Sequence, residues 1–189
     1  MNVSVAIQSR RAYRSLEPVS INEDLVRDLA RHAQLAPSCF NNQPARFVFV
    51  YDKEQLNRLK PAFSKGNEWC FTGSMVIVVF TKKEMDCIIK EREYYLFDTG
   101  MTTAFLILRA TELGLVAHPI AGYNSEKVRE VLGIPDEFTI ITLIIVGKHS
   151  DEISPLLSEK QIEWEKSRPP RLPLEKVAFI NHYQKEKAE

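Results

Sequence analysis

The chain has 189 residues, of which 44% are hydrophobic, enough to bury one core of ordinary domain size. Lys plus Arg and Asp plus Glu both number 25, so the overall field favours neither nucleic acid nor an anionic membrane as partner. Any positive site is therefore local, and no apolar run approaches the ~18 residues of a membrane span.

The opening MNVSVAIQSRR has too short an apolar stretch before its arginines for a signal peptide, so an unprocessed cytoplasmic protein is expected. Ser20 and Glu23 form a capping-box pair ahead of Leu25, Val26, Leu29, Ala33 and Leu35, which share one helical face; this helix should stop before Pro37. Arg46 to Tyr51 reads as a strand, a helix is expected around Lys53 to Lys60, and Met75 to Phe80 is a second strand buried on both faces. Tyr95 to Leu113 repeats apolar residues at three- and four-residue steps and ends at Gly114; it is the strongest helix signal and is read as the central helix. A short helix with a serine cap is expected from Ser125 to Leu132, stopped by Gly133, and Thr139 to Val146 is a third strand. A polar, helical stretch ends near Lys166. After it, Ser167 to Pro173 holds three prolines that force extended backbone, and such a tail must lie on something else.

Three segments carry polar chemistry. Arg10, Arg11 and Arg14 crowd the end of the first apolar segment, and Arg10 and Arg14 share a face if that segment stays helical, which would make an anion site. A solvated basic turn is the common explanation for a lone cluster of this kind. The loop Ala36-Pro-Ser-Cys-Phe-Asn-Asn-Gln-Pro44 places amides between a helix and a buried strand, either to read a heterocycle's edge or to satisfy local backbone. The turn His118 to Tyr123 contains Gly122, which admits close backbone approach or is simply a glycine turn. Cys39, Cys70 and Cys87 form neither a CxxC nor an even framework, which favours reduced thiols in a reducing compartment. His32, His118, His149 and His182 are scattered without ligand spacing, so no metal is expected.

Taken in order, RRAYRSL, APSCFNNQP, FDTGMTTAFLILRATELGL, HPIAGY, LGIP, the strand ending Val146-Gly147, and PPRLPLEKV resemble the successive blocks of the FMN-dependent nitroreductase family. The resemblance covers residues 6–147 and the tail around Arg168 to Val177. It implies an α+β fold with a central mixed sheet sandwiched by helices. It further implies a single domain over 1–189, with 151–189 as an extension wrapping the partner, in a homodimer with exchanged C-terminal tails. Two FMN sites would lie at the interface. By position, Arg10 resembles the phosphate and ribityl ligand, Arg14 the basic residue beside flavin N1 and O2, and Arg171, helped by Arg168, the C-terminal phosphate ligand. Pro37, Ser38, Cys39 and Asn41 would line the partner's flavin, with Phe40 reaching the substrate cavity and the Gly122 N–H near flavin N5. Arg11, Gln43 and Ile120 complete the cofactor-binding set that the resemblance implies.

The implied activity is hydride transfer from NADH or NADPH through FMN to a small acceptor such as a nitroaromatic or quinone, with no nucleic acid or membrane partner. Ala12, Ala45 and Ala121 depart from residues common in the family, and Asn67 and Trp69 do not align securely. Two other readings compete: a non-catalytic flavin-binding or sensing protein, and a thiol enzyme using Cys39.

Overall fold

The computed structural model describes residues 1–183. In chain order its main elements are α1 (Val3–Ser9), β1 (Leu16–Glu17), α2 (Glu23–Gln34), β2 (Arg46–Val50), α3 (Lys53–Leu59), β3 (Met75–Thr81), β4 (Ile88–Ile89) and β5 (Arg92–Glu93). They continue with α4 (Tyr94–Glu112), β6 (Val116–Ile120), α5 (Ser125–Leu132), β7 (Thr139–His149) and α6 (Glu159–Lys166).

The architecture is α+β, with helices on both faces of a five-stranded sheet. β7 is its hub: it pairs with β3, β6 and β1, and β3 pairs in turn with β2. Every strand pairing among the described residues is antiparallel, which corrects the expected mixed sheet. The mixed sheet was implied by the resemblance, and the pattern of elements by itself leaves strand order open. Short 3-10 turns after α3 bring the chain back so that β3 runs against β2. Successive side chains of β3 face opposite ways. Met75, Ile77 and Val79 pack with Leu29 and Ala33 of α2 and Leu106 and Ala110 of α4, while Val76 and Val78 pack with Leu59 of α3 and Val128 of α5.

Three local expectations are corrected. The cap of α2 is Asn22, whose side chain accepts the Leu25 N–H at 2.9 Å, rather than Ser20 with Glu23. Likewise α5 is capped by Asn124 rather than Ser125, and ends as expected on Gly133 at φ 66°. The segment read as a turn from His118 is the second half of β6, paired through Pro119↔Ile144. Proline hides a strand signal, yet it is tolerated here because β6 pairs with β7 alone.

Candidate functional site

Helix α1 ends at Ser9, because Arg10 takes ψ 122° and the chain leaves the helix. The expectation that Arg10 and Arg14 share a helical face is therefore not met; an extended segment carries them instead. What fixes that segment is α6, more than 140 residues away. The buried Glu165 carboxylate accepts the Arg14 N–H at 3.0 Å and the Ser15 N–H at 2.9 Å. Arg11 donates to the main-chain carbonyls of Trp164 (2.7 Å) and Glu165 (3.1 Å), which lie in the last turn of α6 and lack helical partners there. Arg168 makes the reciprocal tie, donating to the carbonyls of Gln8 (2.6 Å) and Arg10 (2.7 Å) at the end of α1.

These ties enclose a cavity of about 170 Å³ lined by Arg10, Arg11, Ala12, Arg14, Trp164, Arg168, Pro169 and Arg171. Among the described residues, none of its five guanidiniums has an acidic side chain within ion-pair distance. Burial, then repulsion from Arg168, Arg171 and Arg11, holds Arg10 below its ordinary value. Burial also lowers Arg14, with Glu165 opposing, and its guanidinium lies 5.7 Å from the Trp69 ring and 5.6 Å from the Trp164 ring. Such a concavity is too small for a whole cofactor but suits the anionic end of one.

From Arg14 the contacts run inward. Trp69 is fully buried and stacks on His118 with centroids 4.7 Å apart; the His118 Nδ1–H faces the Tyr13 carbonyl at 3.0 Å. Burial pushes His118 down to about 4, so it is a neutral imidazole beside two arginines. Asn67 accepts from Trp69 Nε1 at 3.3 Å and donates Nδ2–H to the Gly122 carbonyl at 2.9 Å. A Cβ on Gly122 would overlap the Asn67 amide, so Asn67 is the close neighbour that requires the glycine. Ile120, by contrast, puts its side chain in the core, and its carbonyl accepts from Thr142.

The polar loop lies apart from the arginine cavity, at the start of α4. Ser38 Oγ accepts the Gln43 N–H at 2.9 Å, and Gln43 Nε2 reaches the Asn41 carbonyl at 3.4 Å, so part of the loop's polarity serves its own backbone. Phe40, Asn41 and Gln43 all take positive φ (47°, 58° and 50°), a conformation costly to non-glycine residues and common at functional loops. Pro37 is exposed, and Phe40 is 87% exposed, presenting a ring to solvent. Cys39 is joined to Cys87 by a disulfide, which corrects the expectation of three reduced thiols and leaves Cys39 without a free sulfur for nucleophilic attack. Only Cys70 is a free thiol among the described residues, and burial pushes it well above the usual thiol range.

The single chain thus brings Arg10, Arg11, Arg14, Arg168 and Arg171 together, links them through Trp69 and Asn67 to Gly122, and leaves residues 37–43 on a separate edge. Asn67, Trp69, Trp164 and Glu165 belong to the site and were missed from the sequence. Ile162 and Trp164, behind the Ser158–Gln161 capping pair, were the available signals for α6.

The chain belongs to the nitroreductase family: the family's sequence model matches residues 7–68 and 64–148. YdgI of Bacillus subtilis, an NAD(P)H nitroreductase by name, is 26% identical, with 77% of this chain and 88% of YdgI covered. An Archaeoglobus fulgidus relative, whose name pairs NADH dehydrogenase with NAD(P)H nitroreductase, is 28% identical over 77% of this chain and 84% of its own. Among solved structures, an oxidoreductase described as containing FMN superposes with a TM-score of 0.82 at 26% identity, covering 97% of this chain and 94% of that one. An Exiguobacterium sibiricum structure described as a complex with FMN matches at 0.77 and 22% identity, covering 95% and 97%, which shows the shared fold.

Proposed function

We propose that the protein is an FMN-dependent oxidoreductase that takes hydride from NADH or NADPH and passes it to a small organic acceptor such as a nitroaromatic or a quinone. The observation that carries this reading is the meeting of five guanidiniums, from segments about 160 residues apart, none of them in an ion pair among the described residues. A cluster built at that electrostatic cost fits a phosphate monoester, which carries close to two charges and matches guanidinium forks. FMN, when bound, supplies the hydride chemistry. The residues of the chain bind and orient it: Arg10 and Arg171 at the phosphate, with Arg11 and Arg168 holding the two segments in place. Arg14 stands where a positive charge favours reduced flavin, and the Asn67–Gly122 edge lies deeper.

The same reading makes the protein a homodimer in which Pro37 to Gln43 completes the partner's site. Exposed apolar side chains support this: Phe97 and Phe105 on α4, and Leu172, Leu174 and Ile180 after Arg171. Up to Arg171 the extension packs on its own chain, so we place the exchange between subunits beyond that residue. No helix among the described residues is long and apolar enough to cross a membrane. A cytoplasmic setting suits a nicotinamide-dependent enzyme.

Reconstitution decides the matter. The purified chain should take up about one FMN, and NADH or NADPH added without oxygen should bleach the visible band. A chain that binds no FMN overturns the reading, and one that binds FMN but is never reduced by either nicotinamide is a flavin-binding protein without the enzyme activity.

A further inference from the structure

Cys39 sits at the start of the polar loop and Cys87 just before the β4–β5 hairpin, 48 residues apart in sequence, and both are only partly buried. A structural disulfide usually ties down a segment that has little else to hold it. Here the two sides are already tied without it. The Cys39 N–H donates to Asp98 of α4 at 2.6 Å, and the Asn42 side chain donates to Asp86 at 3.2 Å.

The surroundings of the two sulfurs are those that sulfur exchange needs. One Asp86 carboxylate oxygen and both sulfur atoms lie within 4.8 Å of one another. Asp86 Oδ1 accepts from the Cys87 N–H at 2.8 Å and from Asn42, whereas the buried Oδ2 has no N–H or O–H donor. The group in contact with Asp86 is the carboxyl of Asp98, itself 1% exposed. Asp98 is thus a buried carboxyl with a second carboxyl beside it. Burial, with Asp86 adding to it, accordingly holds Asp98 above the usual carboxylate range. Asn42 Nδ2–H also lies 3.4 Å from Cys87 Sγ, where it stabilises a departing thiolate.

We propose that Cys39 and Cys87 form a redox-active dithiol/disulfide centre that exchanges with small thiols and dithiols, with the Asn42 amide placed at the sulfur that departs. A thiolate of an external dithiol attacks Cys39 Sγ, forming a mixed disulfide as the Cys39–Cys87 bond breaks. The electron pair leaves on Cys87 Sγ, whose thiolate faces the Asn42 amide N–H and is then protonated from water. The reductant's second thiolate then attacks its own sulfur in the mixed disulfide, closing the reductant's disulfide and releasing Cys39, which is protonated from water. Two electrons pass to the protein. Because the other ties persist, the two thiols stay near one another and the bond reforms readily when an oxidant such as glutathione disulfide is present.

The test is a redox titration of the full chain, read on thiols alone and so independent of any flavin. The protein is equilibrated in glutathione and dithiothreitol buffers of graded ratio, quenched with acid, alkylated and mapped by mass spectrometry. Cys39 and Cys87 should become labelled together in one two-electron transition. Cys70 should stay unlabelled in a native-state control and circular dichroism should not change. A bond that resists reduction until the chain unfolds, or two cysteines that are labelled independently at every ratio, overturns the proposal. In Asn42→Ala the bond should still form but its reduction by dithiothreitol should slow several-fold; an unchanged rate removes the amide from the step.

Discussion

Glu165 and Ser15 meet across 150 residues of sequence, the carboxylate accepting the Ser15 N–H at 2.9 Å in a place where Ser15 is 1% exposed. Truncating Glu165 leaves that N–H without a partner and releases the Arg14 N–H as well. Glu165→Ala should cost about 2–4 kcal/mol, from two lost charge-assisted bonds and buried donors left unpaired. Glu165→Gln, which keeps an acceptor oxygen, should lose less. Thermal unfolding of the three proteins checks the order.

The arginines divide into two jobs that ligand choice separates. Arg10→Ala and Arg171→Ala should each weaken FMN roughly ten- to a hundred-fold while leaving riboflavin little changed, because the missing charge faces phosphate. Arg168→Ala should weaken FMN and lower the melting temperature together, since Arg168 spends its hydrogen bonds on the carbonyls that end α1. Equilibrium titration with both flavins distinguishes the two patterns.

Gly122→Ala forces its new methyl group into the Asn67 amide. We expect about 1–3 kcal/mol of destabilisation, in line with overpacking of a half-buried position. Asn67→Ala made in the same chain should recover part of that loss by opening the space. A double-mutant cycle on denaturation midpoints measures the coupling.

His118 gives the stability a pH dependence whose sign follows from its burial. The imidazole is held neutral to about pH 4 in the folded chain but protonates near 6.5 once unfolded, so the unfolded state binds more protons between those values. The contribution is fully present above pH 6.5 and is lost progressively as pH falls to about 4, a loss of about 2–4 kcal/mol. His118→Gln should flatten this part of the curve. Urea denaturation from pH 4 to 8 shows the slope in both proteins.

The elements that were legible from sequence are those in which one physical signal dominates. The β3 run from Met75 is apolar on both faces and had few alternatives, and α4 repeats its apolar residues over nineteen positions. β6 was hidden because Pro119 reads as punctuation, and the antiparallel sheet because strand order depends on how 3-10 turns redirect the chain. The arginine cluster was visible as a set of residues, whereas Glu165 and Trp164, which position it, sat in a polar helix about 150 residues further on with nothing in sequence to say what it packs against. The disulfide could not be inferred: spacing along the chain says nothing about which of three cysteines the fold brings together.

The contacts that join Arg10 to Arg168 and Arg14 to Glu165 also set an order of events. During synthesis the first arginines emerge early, but the groups that align them follow about 150 residues later, close to Arg171. Until those residues have left the ribosome and folded back, the basic segment has neither its anchors nor its full complement of charge. An anionic cofactor would therefore be captured only once synthesis has passed Arg171, and products truncated before it would remain empty however well their sheet had formed.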